Sequence, residues 1–272
     1  MPMNRRVLLF DNGSLEPASS RQLRAIAGAL SARLALPVDP VSLAHSDKIP
    51  AEQLDGKPAE LFSDALRRLE AEGATEILAL PLFIGPSLAV TRWVPGLGAE
   101  FAERGLGRAK VRIGSCLYAD HDERLCGIVR DHVRAVSRSG ARPRVALVDH
   151  GSPAPAVTAA RDAIGAQLRE ALGDDVTEVV ACSMERREGD DYAFNEPLLA
   201  RVLERPEWRT GPLVIAMLFI GPGRHAGAGG DVEKIVRAAR GDDDVQFTKL
   251  LGQHPALIDI LVDRARELTT SA

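Results

Sequence analysis

Cysteine is scarce in this sequence, and basic residues do not outnumber acidic ones. The three cysteines, Cys116, Cys126 and Cys182, are an odd set whose spacing fits neither a disulfide framework nor a zinc knuckle. A disulfide-stapled secreted module is thereby excluded, and three reduced, buried thiols are expected. The net charge is -4 and the isoelectric point is near 5.9. Neutralising a phosphate backbone needs a concentrated basic face, so a general nucleic-acid surface is excluded and a small-molecule partner fits better. Long apolar runs are also missing near the start, where Val7 to Phe10 is too short for a signal-peptide core or a membrane span. A cytoplasmic protein with no membrane partner is expected, its oligomeric state open between monomer and homodimer.

What is present is the composition of a globular chain: 45% hydrophobic and 26% charged residues, with 24 glycines and 17 prolines scattered rather than clustered. Its 272 residues suit two ordinary domains or one large α/β domain. Internal self-similarity chooses between them. Val7-Leu-Leu-Phe-Asp-Asn-Gly-Ser14 returns as Val145-Ala-Leu-Val-Asp-His-Gly-Ser152, an offset of 138 residues. The helical stripe Ile26, Leu30, Leu34 matches Ile164, Leu168, Leu172 at the same offset, and Leu82-Phe-Ile-Gly-Pro86 returns as Leu218-Phe-Ile-Gly-Pro222 at an offset of 136. A weaker echo sets Ile113-Gly114 against Leu251-Gly252. The border falls in the polar stretch Ser137 to Pro143, giving one half over residues 1–138 and another over 144–272.

Each half reads as alternating strand and helix, with strands near 5–10, 37–43, 76–82 and 110–115, then 144–149, 176–182, 212–219 and 245–250. These Val/Ile/Leu runs lack clean alternation, as strands do when helices cover both faces of a parallel sheet. The expected fold is α/β, two similar doubly wound halves, each with a four-stranded mostly parallel sheet. Ligands of such folds sit beyond the carboxyl ends of the strands, where both repeated motifs lie.

His150 follows the strand Val145 to Val148, with Gly151 allowing a sharp turn, and His225 follows another strand in Gly221-Pro-Gly-Arg-His225-Ala-Gly-Ala-Gly-Gly230-Asp231. A lone strand-end histidine is more often a hydrogen-bonded structural residue. Two imidazoles converging on one cleft instead suit a borderline divalent ion such as cobalt, nickel or iron, with positions left open for a substrate. The glycine run has its own reading as a phosphate cradle, yet neither the dinucleotide nor the P-loop pattern is present. Subtracting the offsets puts Asn12 and Ala89 at the two histidine positions of the first half, so both imidazoles are missing there together. Glu185, after Val179 to Met184, is the better of two acidic candidates and Glu196, before Pro197, the other. His45, His121, His132 and His254 read as surface or capping residues.

On these residues the chain resembles the class II tetrapyrrole chelatases, in the two-half sirohydrochlorin cobaltochelatase and ferrochelatase group of cobalamin and sirohaem synthesis. The resemblance spans nearly the whole length and rests on the order of His150-Gly151-Ser152, the Gly223-Arg224-His225 loop, Met184-Glu185, Glu196-Pro197 and Gly252-Gln-His-Pro255. It implies a lyase that inserts cobalt, iron or nickel, as a substrate, into sirohydrochlorin or a related tetrapyrrole, with no organic cofactor. It further implies that His150 and His225, assisted by Glu185, hold the metal and take up protons, and that Ser152, Gly223, Arg224 and Glu196 line the substrate site. Arg92, Arg186 and Arg187 are further candidates to meet the carboxylates of such a substrate. Many two-half members keep the histidine pair in the N-terminal half, whereas here the C-terminal half has it, and a charged segment, Arg186 to Tyr192, follows Glu185. A non-catalytic metal or tetrapyrrole carrier derived from a chelatase is the alternative, and a chelatase-like enzyme of another pathway is a third, since fold does not dictate function.

Overall fold

The computed structural model describes residues 4–103, 109–241 and 244–270. In the first half, β1 (Arg5–Asp11), β2 (Val38–Ser42), β3 (Glu76–Pro81) and β4 (Lys110–Ile113) form a parallel sheet in the order β2-β1-β3-β4. Between them come α1 (Pro17–Leu34), α2 (Phe62–Ala71) and α3 (Val94–Glu103), and α4 (Arg124–Val136) follows. The second half repeats this with β5 (Arg144–Asp149), β6 (Glu178–Ser183), β7 (Leu213–Met217) and β8 (Val245–Phe247), ordered β6-β5-β7-β8 and again parallel. Its helices are α5 (Pro155–Leu172), α6 (Leu199–Leu203), α7 (Asp231–Arg240) and α8 (Ala256–Thr270). The expected α/β fold and its strands are therefore present.

The central strands are buried along almost their whole length, β3 and β7 at every residue, which is why they read as unbroken apolar runs. The helices repeat with the strands. Helices α1 and α5 are each 18 residues long and each opens on a proline, where a missing N–H costs nothing and the fixed φ suits a helix. One apolar core packs Phe10, Phe62, Leu66 and Leu69 in the first half; another packs Met184, Leu203, Trp208 and Val236 in the second.

The sequence repeats and the packing units are not divided at the same places. One unit comprises Met1–Ala119 with Ile258–Ala272, the other Asp120–Leu257. Helix α4, last of the first repeat, turns Leu125, Cys126, Ile128, Val129 and Val133 inward and packs against α5 and β7. Most of α8 belongs to the first unit, where the buried Arg264 donates to the carbonyls of Cys116 and Leu117 at 2.9 and 3.1 Å. Each closing helix thus satisfies its apolar face away from the repeat that encodes it.

Two expectations need correction. The Gly114 N–H bonds the Ala79 carbonyl at 2.8 Å, but the corresponding carbonyl, Ile215, takes the Thr248 N–H at 3.0 Å. The N–H groups of Leu251 and Gly252 bond Phe219 and Ile220, as those of Leu117 and Tyr118 bond Phe83 and Ile84. The echo of Ile113-Gly114 in Leu251-Gly252 is therefore out of register, because an apolar residue before glycine occurs in both segments and only backbone pairing fixes equivalence. His132 is buried rather than at the surface: it sits on the inward face of α4, edge-on to His254 at 5.4 Å, and burial lowers its pKa. His45 and His121 are exposed, and the Nδ1 of His254 accepts the Ala256 N–H at 3.2 Å, capping α8.

The three cysteines are unpaired and buried. Burial pushes the thiols of Cys116 and Cys182 up to about 12 and that of Cys126 to about 11. Among the described residues no helix is long and apolar enough to cross a membrane.

Candidate metal centre

The centre is assembled where β5 gives way to its loop. Gly151 has φ of +92°, and a Cβ there would lie 1.9 Å from the Glu185 carbonyl oxygen. Only glycine lets the segment after β6 pass so close, and that passage brings Glu185 beside His150. Beneath it, the buried Asp149 accepts the Ser183 hydroxyl at 2.6 Å and the Gly151 N–H at 3.2 Å through Oδ1. Arg161, itself buried, lies 3.8 Å from that oxygen and donates to Ser183 Oγ at 2.5 Å and the Asn195 carbonyl at 3.0 Å. Burial pushes the Asp149 carboxyl up, and the Ser183 hydrogen bond and Arg161 charge oppose it.

The two imidazoles meet. The His150 and His225 rings stand 4.6 Å apart between centres at an interplanar angle of 69°. Each anchors its Nδ1: that of His150 lies 2.9 Å from the Gly151 carbonyl oxygen and that of His225 lies 2.9 Å from Asp231 Oδ2. Both partners can only accept, so the neutral rings carry hydrogen on Nδ1 and present a bare lone pair on Nε2. The Nε2 of His150 is 3.4 Å from Glu185 Oε1. Two acceptors facing one another call for a cation between them, either a proton or a metal ion. The site is open: the side chains of His150, His225 and Glu185 are 46%, 30% and 59% exposed.

Asp231 is the first residue of α7. Its Oδ1 takes the Lys234 ammonium at 3.1 Å, and Arg224 Nε lies 3.5 Å from its Oδ2. The Lys234 and His225 hydrogen bonds hold this carboxyl below the ordinary range against some desolvation. The glycine-rich loop folds onto the same helix, with the Asp231 N–H on the Arg224 carbonyl and the Val232 N–H on that of His225, each at 3.2 Å. Gly223 closes the turn by donating its N–H to the Ala226 carbonyl at 3.0 Å.

The other expected site residues are tied into structure. The Ser152 hydroxyl accepts the Ala154 N–H at 3.1 Å, and its backbone exchanges hydrogen bonds with the Asn195 side chain at 2.8 and 3.0 Å. Glu196 accepts Arg186 Nε at 2.8 Å and the Leu198 N–H at 2.9 Å, and the Arg186 hydrogen bond holds its carboxyl below the usual range. Arg186 also donates to the carbonyls of Arg187 and Gly189, and the Arg187 guanidinium stacks 5.7 Å over Tyr192. This charged segment is a self-clamped loop. Arg224 is 81% exposed, and Arg92 lies in the first unit, on the π-helical segment Ala89–Trp93 that runs into α3. Among the described residues no three His, Cys, Asp or Glu side chains converge as a metal-binding set, so the centre is an imidazole pair with Glu185 at its edge.

The first unit keeps this frame without its functional groups. Gly13 has φ of +87°, a Cβ there would lie 1.7 Å from the Ala44 carbonyl oxygen, and Ser42 Oγ donates to Asp11 Oδ1 at 2.7 Å. Ala44 therefore stands where Glu185 stands, and the sequence offsets assign Asn12 and Ala89 to the histidine positions. At the offset of 138, Leu23 replaces Arg161, and without that cation burial pushes the Asp11 carboxyl up to about 6. Asp231, Arg161 and Asn195 were not singled out from sequence. Only Asp231 carries a local signal, an acid opening a helix.

Residues 144–268 match the family described as CbiX. The CbiX match thus covers the half that holds both histidines. No curated protein matches the sequence. Among solved structures, the sirohydrochlorin chelatase SirB from Bacillus subtilis subspecies spizizenii in complex with cobalt is 19% identical, with a TM-score of 0.73 over 97% of this chain and 95% of that one. SirB from Bacillus subtilis with Fe3+ is 18% identical, with a TM-score of 0.69 over 99% and 97%. A CbiX described as the terminal enzyme of sirohaem biosynthesis in denitrifying bacteria is 17% identical, with a TM-score of 0.62 over 97% and 98%. Likeness at these identities establishes the chelatase-like fold of the whole chain.

Proposed function

We propose that the protein is a metal chelatase, a lyase that inserts cobalt or ferrous iron into sirohydrochlorin or a related tetrapyrrole. The observation that carries this reading is the pair of imidazoles, 4.6 Å apart, one directly after β5 and one in the loop between β7 and α7, in the half that matches CbiX. Metal–nitrogen bonds of about 2.0–2.1 Å would set two ring centres on a shared ion roughly 4.5–5.5 Å apart at ordinary coordination angles. In this reading His150 and His225 hold the incoming ion through Nε2, and Glu185, 3.4 Å from the His150 Nε2, serves as a proton acceptor rather than a third ligand. Cobalt, iron and nickel all accept imidazole, so choice among them follows geometry and supply.

Insertion replaces two pyrrole N–H protons by one divalent ion, which balances charge and requires two proton acceptors. As the ion passes to the macrocycle, the two Nε2 lone pairs it leaves are free to take those two protons. In this reading the exposed Arg224 head group meets a substrate carboxylate, Ser152 and Gly223 line the substrate site through their backbone, and Glu196 acts through Arg186. The ion enters as substrate, with no organic cofactor, nucleic acid or membrane in the reaction, and the three unpaired thiols suit a cytoplasmic location.

The test is the rate of metallation. Purified protein with sirohydrochlorin and Co2+ is expected to form the metallated product, followed by absorbance, well above the uncatalysed rate, and a His150→Ala/His225→Ala variant is expected to fall to background. Wild-type protein at background would reject the enzyme and leave a metal or tetrapyrrole carrier.

A further inference from the structure

We infer that Asp231 is a positioning residue: its carboxylate keeps the His225 proton on Nδ1 and so turns the Nε2 lone pair toward His150. The consequence for metal binding rests on the function proposed above, whereas the tautomer does not. The 2.9 Å contact from His225 Nδ1 to Asp231 Oδ2 supplies the acceptor. Lys234 and Arg224 pin the carboxylate from either side, and the Val232 N–H holds the backbone carbonyl of residue 225, so the imidazole is fixed at both ends. A carboxylate behind a ligating histidine fixes the ring and makes it a better donor.

An acid at the start of a helix has another use, to oppose the positive end of the helix dipole. Two observations weigh against that as the whole explanation. Glu233 already serves this terminus, with its carboxylate on the Gly229 N–H and on Arg237. In the first repeat the offset of 136 puts Pro95 opposite Asp231 and Ala89 opposite His225. The carboxylate is absent where the imidazole is absent.

The experiment uses the full chain labelled with 15N-histidine, free of metal, at a pH above the imidazole titration, with the His225 signals assigned by their loss in His225→Gln. The wild type is expected to show a protonated Nδ1 and a bare Nε2. Asp231→Asn, whose carbonyl still accepts, is expected to keep that tautomer, and Asp231→Leu to mix or reverse it. Titration with Co2+, read by its visible absorption, is expected to show affinity falling about 10–100-fold in Asp231→Leu and less in Asp231→Asn. A wild-type His225 protonated on Nε2, or an Asp231→Leu variant with unchanged tautomer and affinity, would overturn the inference. If Asp231→Leu fails to fold, the wild-type and Asp231→Asn spectra decide. If the wild type takes up no cobalt, the proposed function fails, and the tautomer spectrum alone judges Asp231.

Discussion

Adding one methyl group at each of two equivalent glycines separates the shared scaffold from the chemistry of one half. Gly151→Ala and Gly13→Ala each place a Cβ at positive φ, costing about 1–2 kcal/mol, against a backbone carbonyl oxygen at 1.9 and 1.7 Å respectively. Relief requires the crossing segment to move by roughly 1 Å in a close-packed surround, so each variant is expected to lose on the order of 2–4 kcal/mol. Urea unfolding followed by circular dichroism measures both losses, and the fully buried Trp208 reports the second unit by fluorescence. Cobalt binding should divide the pair. In Gly151→Ala the displaced segment carries Glu185 and the strained residue adjoins His150, so a shift beyond the roughly 0.5 Å that such sites tolerate should weaken binding at least about tenfold. In Gly13→Ala the displaced segment carries Ala44, and affinity should not change. Equal weakening in both variants, or none in Gly151→Ala, would refute the reasoning.

Three further outcomes follow from the same contacts. The Asp11 carboxyl sits at about 6 when folded against an ordinary 3.8, so the folded chain binds its proton more tightly. The stability this group contributes is full below about pH 4 and lost as pH rises through 6; Asp11→Asn should remove that loss, at most about 3 kcal/mol, from urea midpoints measured between pH 4 and 7. An unchanged slope would show that Asp11 ionises normally. Arg161→Leu recreates the Leu23 arrangement and leaves the buried Asp149 without its cation, so about 3 kcal/mol should be lost at pH 8 and less at pH 5, because protonation, which burial already favours at Asp149, removes the uncompensated charge. Equal losses at both pH values would rule out a charge effect. A disulfide reagent should label no cysteine in the native protein and three in urea; rapid native labelling would contradict the burial of Cys116, Cys126 and Cys182.

The sequence by itself determined the α/β alternation, the strands, and the place of His150 directly after β5, while His225 lies further on, in the loop between β7 and α7. Those features are written locally, in apolar runs bounded by glycine and polar residues, and the repeat tested each reading against a second copy. The offset also exposed the loss of both imidazoles at Asn12 and Ala89. Tertiary structure decided that the two rings meet 4.6 Å apart, that Asp231 anchors one of them, and that Glu196 closes on Arg186 within its own loop. It likewise decided that α4 and α8 are exchanged between the units and that Arg161 and Asn195 lock the β5 turn. These follow from contacts such as Ser152 with Asn195, 43 residues apart, and Arg264 with Cys116, 148 apart. Periodicity reports which face of an element is apolar; only the folded chain chooses which distant polar group that element meets.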